Sequence, residues 1–294
     1  MKRILSKFRL RFLHKDAPRR VVNRQKKIIT IVFDKRQKFV IGVLLLSLVL
    51  FISEFYHLRF SRSGLIISLG LSTLSDLFLY WAVRHDLPKR FETNAYMIFI
   101  LPFFYTLAFT LFYFLIPARI LSRVILTVLY AVGLYSLYLC QNIFTVGATR
   151  TIQLLSGARI VSFVLTLLSF FFLMNILFTL HFPIYVIAPF IFVTTFLLMF
   201  QSIWTYSLQS DAISLLPLWT FMLSVCVLEV AIMIWFWPST PTTSSLFLSG
   251  LFYTIVGLSH VWFDRRLFRG VLWEYVWVSA VVFFVLILST TWGK

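Results

Sequence analysis

Charge is what this chain has least of. Of its 294 residues only 13% are charged, where a soluble domain carries about a quarter. Acids are scarcer still, 10 against 27 Lys and Arg. The segments between apolar runs are short. None reaches the roughly 50 residues that a folded soluble domain needs. Together these deficits exclude an ordinary water-soluble globular fold.

The 2 cysteines, Cys140 and Cys226, both fall inside apolar runs. A disulfide framework or a zinc site is therefore not expected, and both read as small, polarizable packing residues. The 5 histidines form no i, i+4 metal pair. His260 and Asp264, four apart, are spaced to pair with each other. There is no H-E-x-x-H, no Gly-rich phosphate loop and no G-x-S-x-G. No catalytic residue, metal or cofactor is expected on these grounds. No secretory leader is expected either. The early apolar stretch at residues 28–33 is shorter than the roughly 7 to 15 residues of such a segment, and Asp34-Lys35-Arg36 interrupts it.

What the chain has in abundance is apolar length. It is 60% hydrophobic, with a mean hydropathy of +0.92. From residue 39 onward it reads as about nine runs of roughly 20 residues, each the length that spans a bilayer core of about 30 Å. In hydrocarbon a single segment satisfies its own backbone only as a helix. The expected fold is thus an all-α polytopic transmembrane helical bundle. Its spans fall at 39–56, 63–83, 95–116, 120–142, 159–180, 184–207, 214–237, 245–263 and 271–291. Residues 1–38 form a basic tail and 39–294 the transmembrane domain. Pro102, Pro189 and Pro217 lie inside these runs and predict kinks or local unwinding.

Basic residues set the orientation. With the N-terminus in the cytoplasm, the inner side receives 22 Lys and Arg, 14 of them in the tail, and the outer side five. With nine spans this predicts a C-terminus outside. Removing one span from the count flips that end. Within the tail, Ile4, Leu5, Phe8 and Phe12 recur at helical spacing among Lys2, Arg3, Lys7, Arg9 and Arg11. Such a helix suits an anionic lipid surface. Membrane lipid is the expected partner there, ahead of nucleic acid. A protein partner or a second copy is also open.

Two acids sit within spans. Asp76 shares a helix face with Gly64, Ser68, Ser72 and Ser75. Small and hydroxyl residues at that spacing let helices pack closely, so the face should turn inward. Glu229 lies in span seven, with Arg123 or Arg119 as the cation nearest its depth. Intramembrane acids suggest a proton or ion path by default, and two separate structural contacts account for them equally well. On span eight, Gly250, Thr254 and Gly257 mark a second close-packing face. Between spans four and five, Asn142, Arg150, Gln153 and Arg159 offer donors for an anionic head group, as the arginine fork suits phosphate. A short interfacial helix at 149–155, capped by Thr145 or Thr149, would fit there.

The runs Gln141-Asn142-Ile143-Phe144-Thr145-Val146 and Arg150-Thr151-Ile152-Gln153-Leu154-Leu155 resemble those of uncharacterised multi-pass membrane proteins of candidate-phylum bacteria. So do Leu101-Pro102-Phe103-Phe104 and Leu111-Phe112-Tyr113-Phe114. The resemblance covers spans one to nine. It implies an inner-membrane protein of unassigned activity, and it carries over no catalytic or binding residue.

Three functional classes follow. A non-enzymatic scaffold or partner subunit predicts a closed bundle with its acids paired. A transporter or channel for a small solute, lipid or proton predicts a cavity reached by Asp76 or Glu229. An enzyme on lipid-linked substrates predicts His, Asp or Glu converging at one interface beside a lateral opening.

Overall fold

Every long apolar run becomes a helix, as backbone hydrogen bonding in hydrocarbon requires. The computed structural model describes residues 35–53, 62–84, 96–116, 120–147, 153–207, 215–264 and 268–290. Among them are nine helices and no strand: α1 (Lys35–Ile52), α2 (Arg62–Val83), α3 (Met97–Leu115), α4 (Ile120–Gly147), α5 (Leu155–Thr179), α6 (Ile184–Ser207), α7 (Leu216–Trp235), α8 (Pro241–Phe263) and α9 (Arg269–Ser289).

Eight of them, α2 to α9, are long and apolar enough to cross a membrane. As described, α1 is shorter in apolar length. Its first turn carries Lys35, Arg36 and Lys38. Its apolar part from Phe39 to Ile52 rises only about 21 Å at 1.5 Å per residue. Lys38 rests its ammonium 4.7 Å over the Trp81 ring of α2.

Helix α1 runs Lys35–Ile52 where the first span is expected at 39–56, and three further helix limits differ from expectation, each for a local reason. Helix α4 runs on to Gly147 because Gln141, Phe144 and Thr145 are buried and continue its packing face. The Thr145 hydroxyl donates to the Asn142 carbonyl at 2.7 Å. Helix α5 starts at Leu155, itself buried. Helix α8 starts at Pro241, where Thr240 caps it by accepting from the Thr243 amide at 3.3 Å. Thr at the cap with Pro at the first helical position is a favourable start. Pro217 likewise stands in the first turn of α7 rather than inside it, where a missing amide proton costs nothing. Pro102 and Pro189 are housed within α3 and α6.

Helices α3 and α5 form the centre. The apolar window of α3 is 61% buried, against 6% for α9 at the edge. Aromatic faces make the central seams. Phe112 and Phe172 stack at 4.1 Å, Phe109 meets Phe172 edge-on at 4.9 Å, and Phe170 stacks on Phe252 of α8 at 4.3 Å. Offset and edge-on pairs of this kind add about 0.5–1.5 kcal/mol beyond area burial.

Small residues make the other seams. Tyr105 of α3 lies over Gly133 of α4 so closely that a Cβ there would collide with the phenol. Its hydroxyl donates to the Leu129 carbonyl at 3.2 Å. The expected face of α2 is buried at Gly64, Ser68, Ser72 and Ser75. The expected face of α8 packs on α9. Gly250 meets Val282, Gly257 meets Tyr275, and the Thr254 and Ser279 hydroxyls lie 3.0 Å apart.

Candidate functional site

Helix α2 packs on α3, α3 on α6, and α6 on α7. No comparable packing joins α2 to α7 among the described residues. The consequence is a groove of about 550 Å³ at the end of the bundle where α2 finishes and α3 begins. Helices α3 and α6 form its floor. Asp76 stands on the α2 side and Pro217 on the α7 side. Tyr96, Phe99, Phe103, Phe104, Phe196 and Phe200 line it with rings. The volume falls within the roughly 300–1,000 Å³ range of small-molecule sites, which are mostly apolar with a few placed polar groups.

Asp76 is that polar group. It is half-buried, and its Oδ1 is buried without a hydrogen-bond partner among the described residues. It lies seven residues before Val83, or about 10 Å along the helix at 1.5 Å per residue. Its neighbour is tied down. Tyr138 of α4 donates to the Ser75 carbonyl at 2.9 Å, and the two hydroxyls lie 3.0 Å apart. The backbone behind the acid is thereby fixed to a second helix.

A second polar constellation joins α5, α6 and α8 near the same end. The Arg159 guanidinium lies 4.7 Å over the Tyr206 ring and donates through Nε to the Thr205 carbonyl at 3.0 Å. Tyr206 stacks on His260 at 3.9 Å. The Ser202 hydroxyl lies 3.2 Å from His260 Nε2, and Phe163 abuts the imidazole edge-on. His260 is thus held by Ser202 and two rings, while Asp264, its expected partner, is exposed.

The remaining candidates are dispersed. Arg123 lies 5.9 Å over the Tyr113 ring of α3. Glu229 is on an exposed face of α7. Among the described residues helices α4 and α7 share no extensive packing, and Arg123 and Glu229 form no ion pair there. Matching depth says nothing of direction around the helix axis. Asn142 belongs to α4, with its Oδ1 buried and without a partner among the described residues. Gln153 is exposed in the turn before α5. Arg119, Arg150, residues 149–152 and the tail through residue 34 lie outside the described residues.

Two residues carry more weight than their sequence setting suggested. Gln141 and Gln201 are wholly buried, and both atoms of each amide lack a partner among the described residues. An amide inside an apolar run was the available signal. The Arg159–Tyr206–His260 stack had none, since its members come from three separate spans.

A family model described as a protein of unknown function, DUF5656, matches residues 43–289. The chain belongs to this family. The matched region contains all four helices of the groove, together with Arg159, Glu229 and His260. No curated protein and no solved structure matches the chain. The eight apolar helices point to a multi-pass membrane protein, and the family carries no assigned function.

Proposed function

We propose that this is a lipid-handling protein of the cell inner membrane. In this reading it holds the apolar chain of an amphiphile in the Asp76 groove and meets a hydroxyl or ammonium donor of that amphiphile with the carboxylate. The observation that carries the reading is that Asp76 lines a largely apolar, aromatic groove while its buried Oδ1 has no hydrogen-bond partner among the described residues. Intramembrane acids characteristically mark substrate paths, and an acceptor in such a site rewards a ligand that donates to it and penalises one that does not.

The positive-inside bias supports placing the groove end, with Arg84, Lys89, Arg90, Arg265 and Arg266 near it in sequence, at the cytoplasmic face. The groove would then open in the inner leaflet. This favours the transporter-like class, narrowed to lipid, over a scaffold with paired acids. Apart from Asp76 and the Tyr96 hydroxyl the wall is apolar, which also argues against a water-filled ion path.

Native mass spectrometry of the full chain, extracted with its lipids, tests the proposal. The wild type should retain one amphiphile that survives mild activation. Leu197→Trp, which fills the floor, should lose it. Asp76→Asn should retain it less and lose the preference for donor-bearing species. Equal retention by all three proteins would remove the reading.

A further inference from the structure

We infer that the Asp76 groove selects for positive charge, so that its ligand class is an apolar chain ending in an ammonium group rather than in a hydroxyl or an acid. This rests on the groove reading above and narrows it. The starting point is what the wall is made of. Tyr96, Phe99, Phe103 and Phe104 reach it from α3 and its N-cap, and Phe196 and Phe200 from α6. An aliphatic wall would bury a hydrocarbon chain equally well. Rings add what aliphatic groups lack, a π face of negative potential.

Those faces do not all look one way. Phe103 and Phe104 meet edge-on at 5.5 Å, which sets their planes nearly perpendicular. Phe196 and Phe200, one turn apart on the neighbouring helix, lie near-parallel at 5.8 Å. Ring surface thus meets a ligand from two helices and in more than one orientation.

Charge on the wall has one sign. Asp76 is its acid, and no described residue lining the groove is basic. An anionic head group would face a carboxyl and π faces with no cation to offset them. A hydroxyl would donate to the carboxyl and take nothing from the rings. An ammonium does both, since ring quadrupoles attract cations, most strongly where water is excluded. It also loses more hydration on entry than a hydroxyl does. The place of the groove limits that loss. It lies at the end of the bundle, where Tyr96 is exposed, so the head stays near the membrane surface. The preference does not turn on the proton of Asp76 in the empty groove. A carboxyl oxygen accepts an N–H in either form, and π faces do not titrate.

Probe retention by the delipidated full-length protein, in a neutral detergent at neutral pH, tests the inference. Oleylamine, oleyl alcohol and oleic acid share one chain and differ at the head. An alkylamine, like a lysine head, is charged at that pH. Retention above that of Leu197→Trp, which fills the floor, measures the groove. Oleylamine should exceed oleyl alcohol about tenfold, and oleic acid should stay at background. Phe103→Leu combined with Phe200→Leu should cut the amine advantage to about threefold or less and leave alcohol retention unchanged. Phe200→Tyr, which keeps the ring, should keep the advantage. On wild type alone, oleyltrimethylammonium, which keeps the charge and has no N–H, should also exceed oleyl alcohol. Alcohol held as well as either cation, or an advantage that the paired Phe→Leu change leaves intact, would overturn the inference. Equal retention of amine and alcohol, with both lost in Leu197→Trp, would do so and leave the groove reading standing. Retention of no probe above Leu197→Trp would overturn both.

Discussion

The Tyr138 hydroxyl lies 2.9 Å from the Ser75 carbonyl and 3.0 Å from the Ser75 hydroxyl, so α4 grips α2 one residue before Asp76. Both partners are fully buried. In hydrocarbon no water can replace the contact. It therefore acts as a strut that sets where Asp76 stands in the groove.

Removing that strut should have a modest energetic effect. Tyr138→Phe should destabilise the folded protein by about 0.5–1.5 kcal/mol, the net worth of one hydrogen bond, with membrane values toward the lower end. Reversible unfolding in mixed micelles measures this. Ser75→Ala should cost less, because Tyr138 keeps the backbone carbonyl as acceptor.

The close approach of α3 and α4 predicts a larger and reversible effect. A Cβ at Gly133 would collide with the Tyr105 phenol. Gly133→Ala should therefore destabilise by about 1–3 kcal/mol, the usual range for overpacking. Adding Tyr105→Phe removes the colliding oxygen and should recover part of that loss. A double-mutant cycle reads the coupling directly.

Buried amides predict the opposite sign. Gln201 is wholly enclosed with both amide atoms unpartnered among the described residues. An unsatisfied buried polar group costs about 1–3 kcal/mol. Gln201→Met, close in shape and free of polar atoms, should therefore raise stability in the same unfolding assay. A loss of stability would show that Gln201 serves a polar partner in the membrane.

How much of this was legible in the sequence depends on direction rather than depth. The spans were readable because apolar length maps directly onto bilayer thickness. The inward face of α2 and the α8–α9 seam were readable too, since Ser68, Ser72, Gly250 and Gly257 recur at helical spacing and small residues have one strong use in lipid. The end of α4 was not. Gln141, Asn142 and Thr145 look like a surface loop, yet Gln141 and Thr145 are buried by neighbouring helices. The site was least legible. Asp76 was visible as an intramembrane acid, but its groove is assembled from four helices whose order around the bundle no local pattern encodes. Glu229 is paired with Arg123 by sequence depth alone, and one-dimensional spacing carries no information on which helices adjoin.

The most direct test of the central claim is photochemical. A phospholipid with a diazirine on its acyl chain, supplied to the protein in liposomes, should label the groove residues Phe103, Phe196 and Phe200 above the evenly exposed residues of α9. Leu197→Trp should remove that excess and leave α9 labelling unchanged. Labelling of the groove no greater than of α9, and insensitive to Leu197→Trp, would contradict the account.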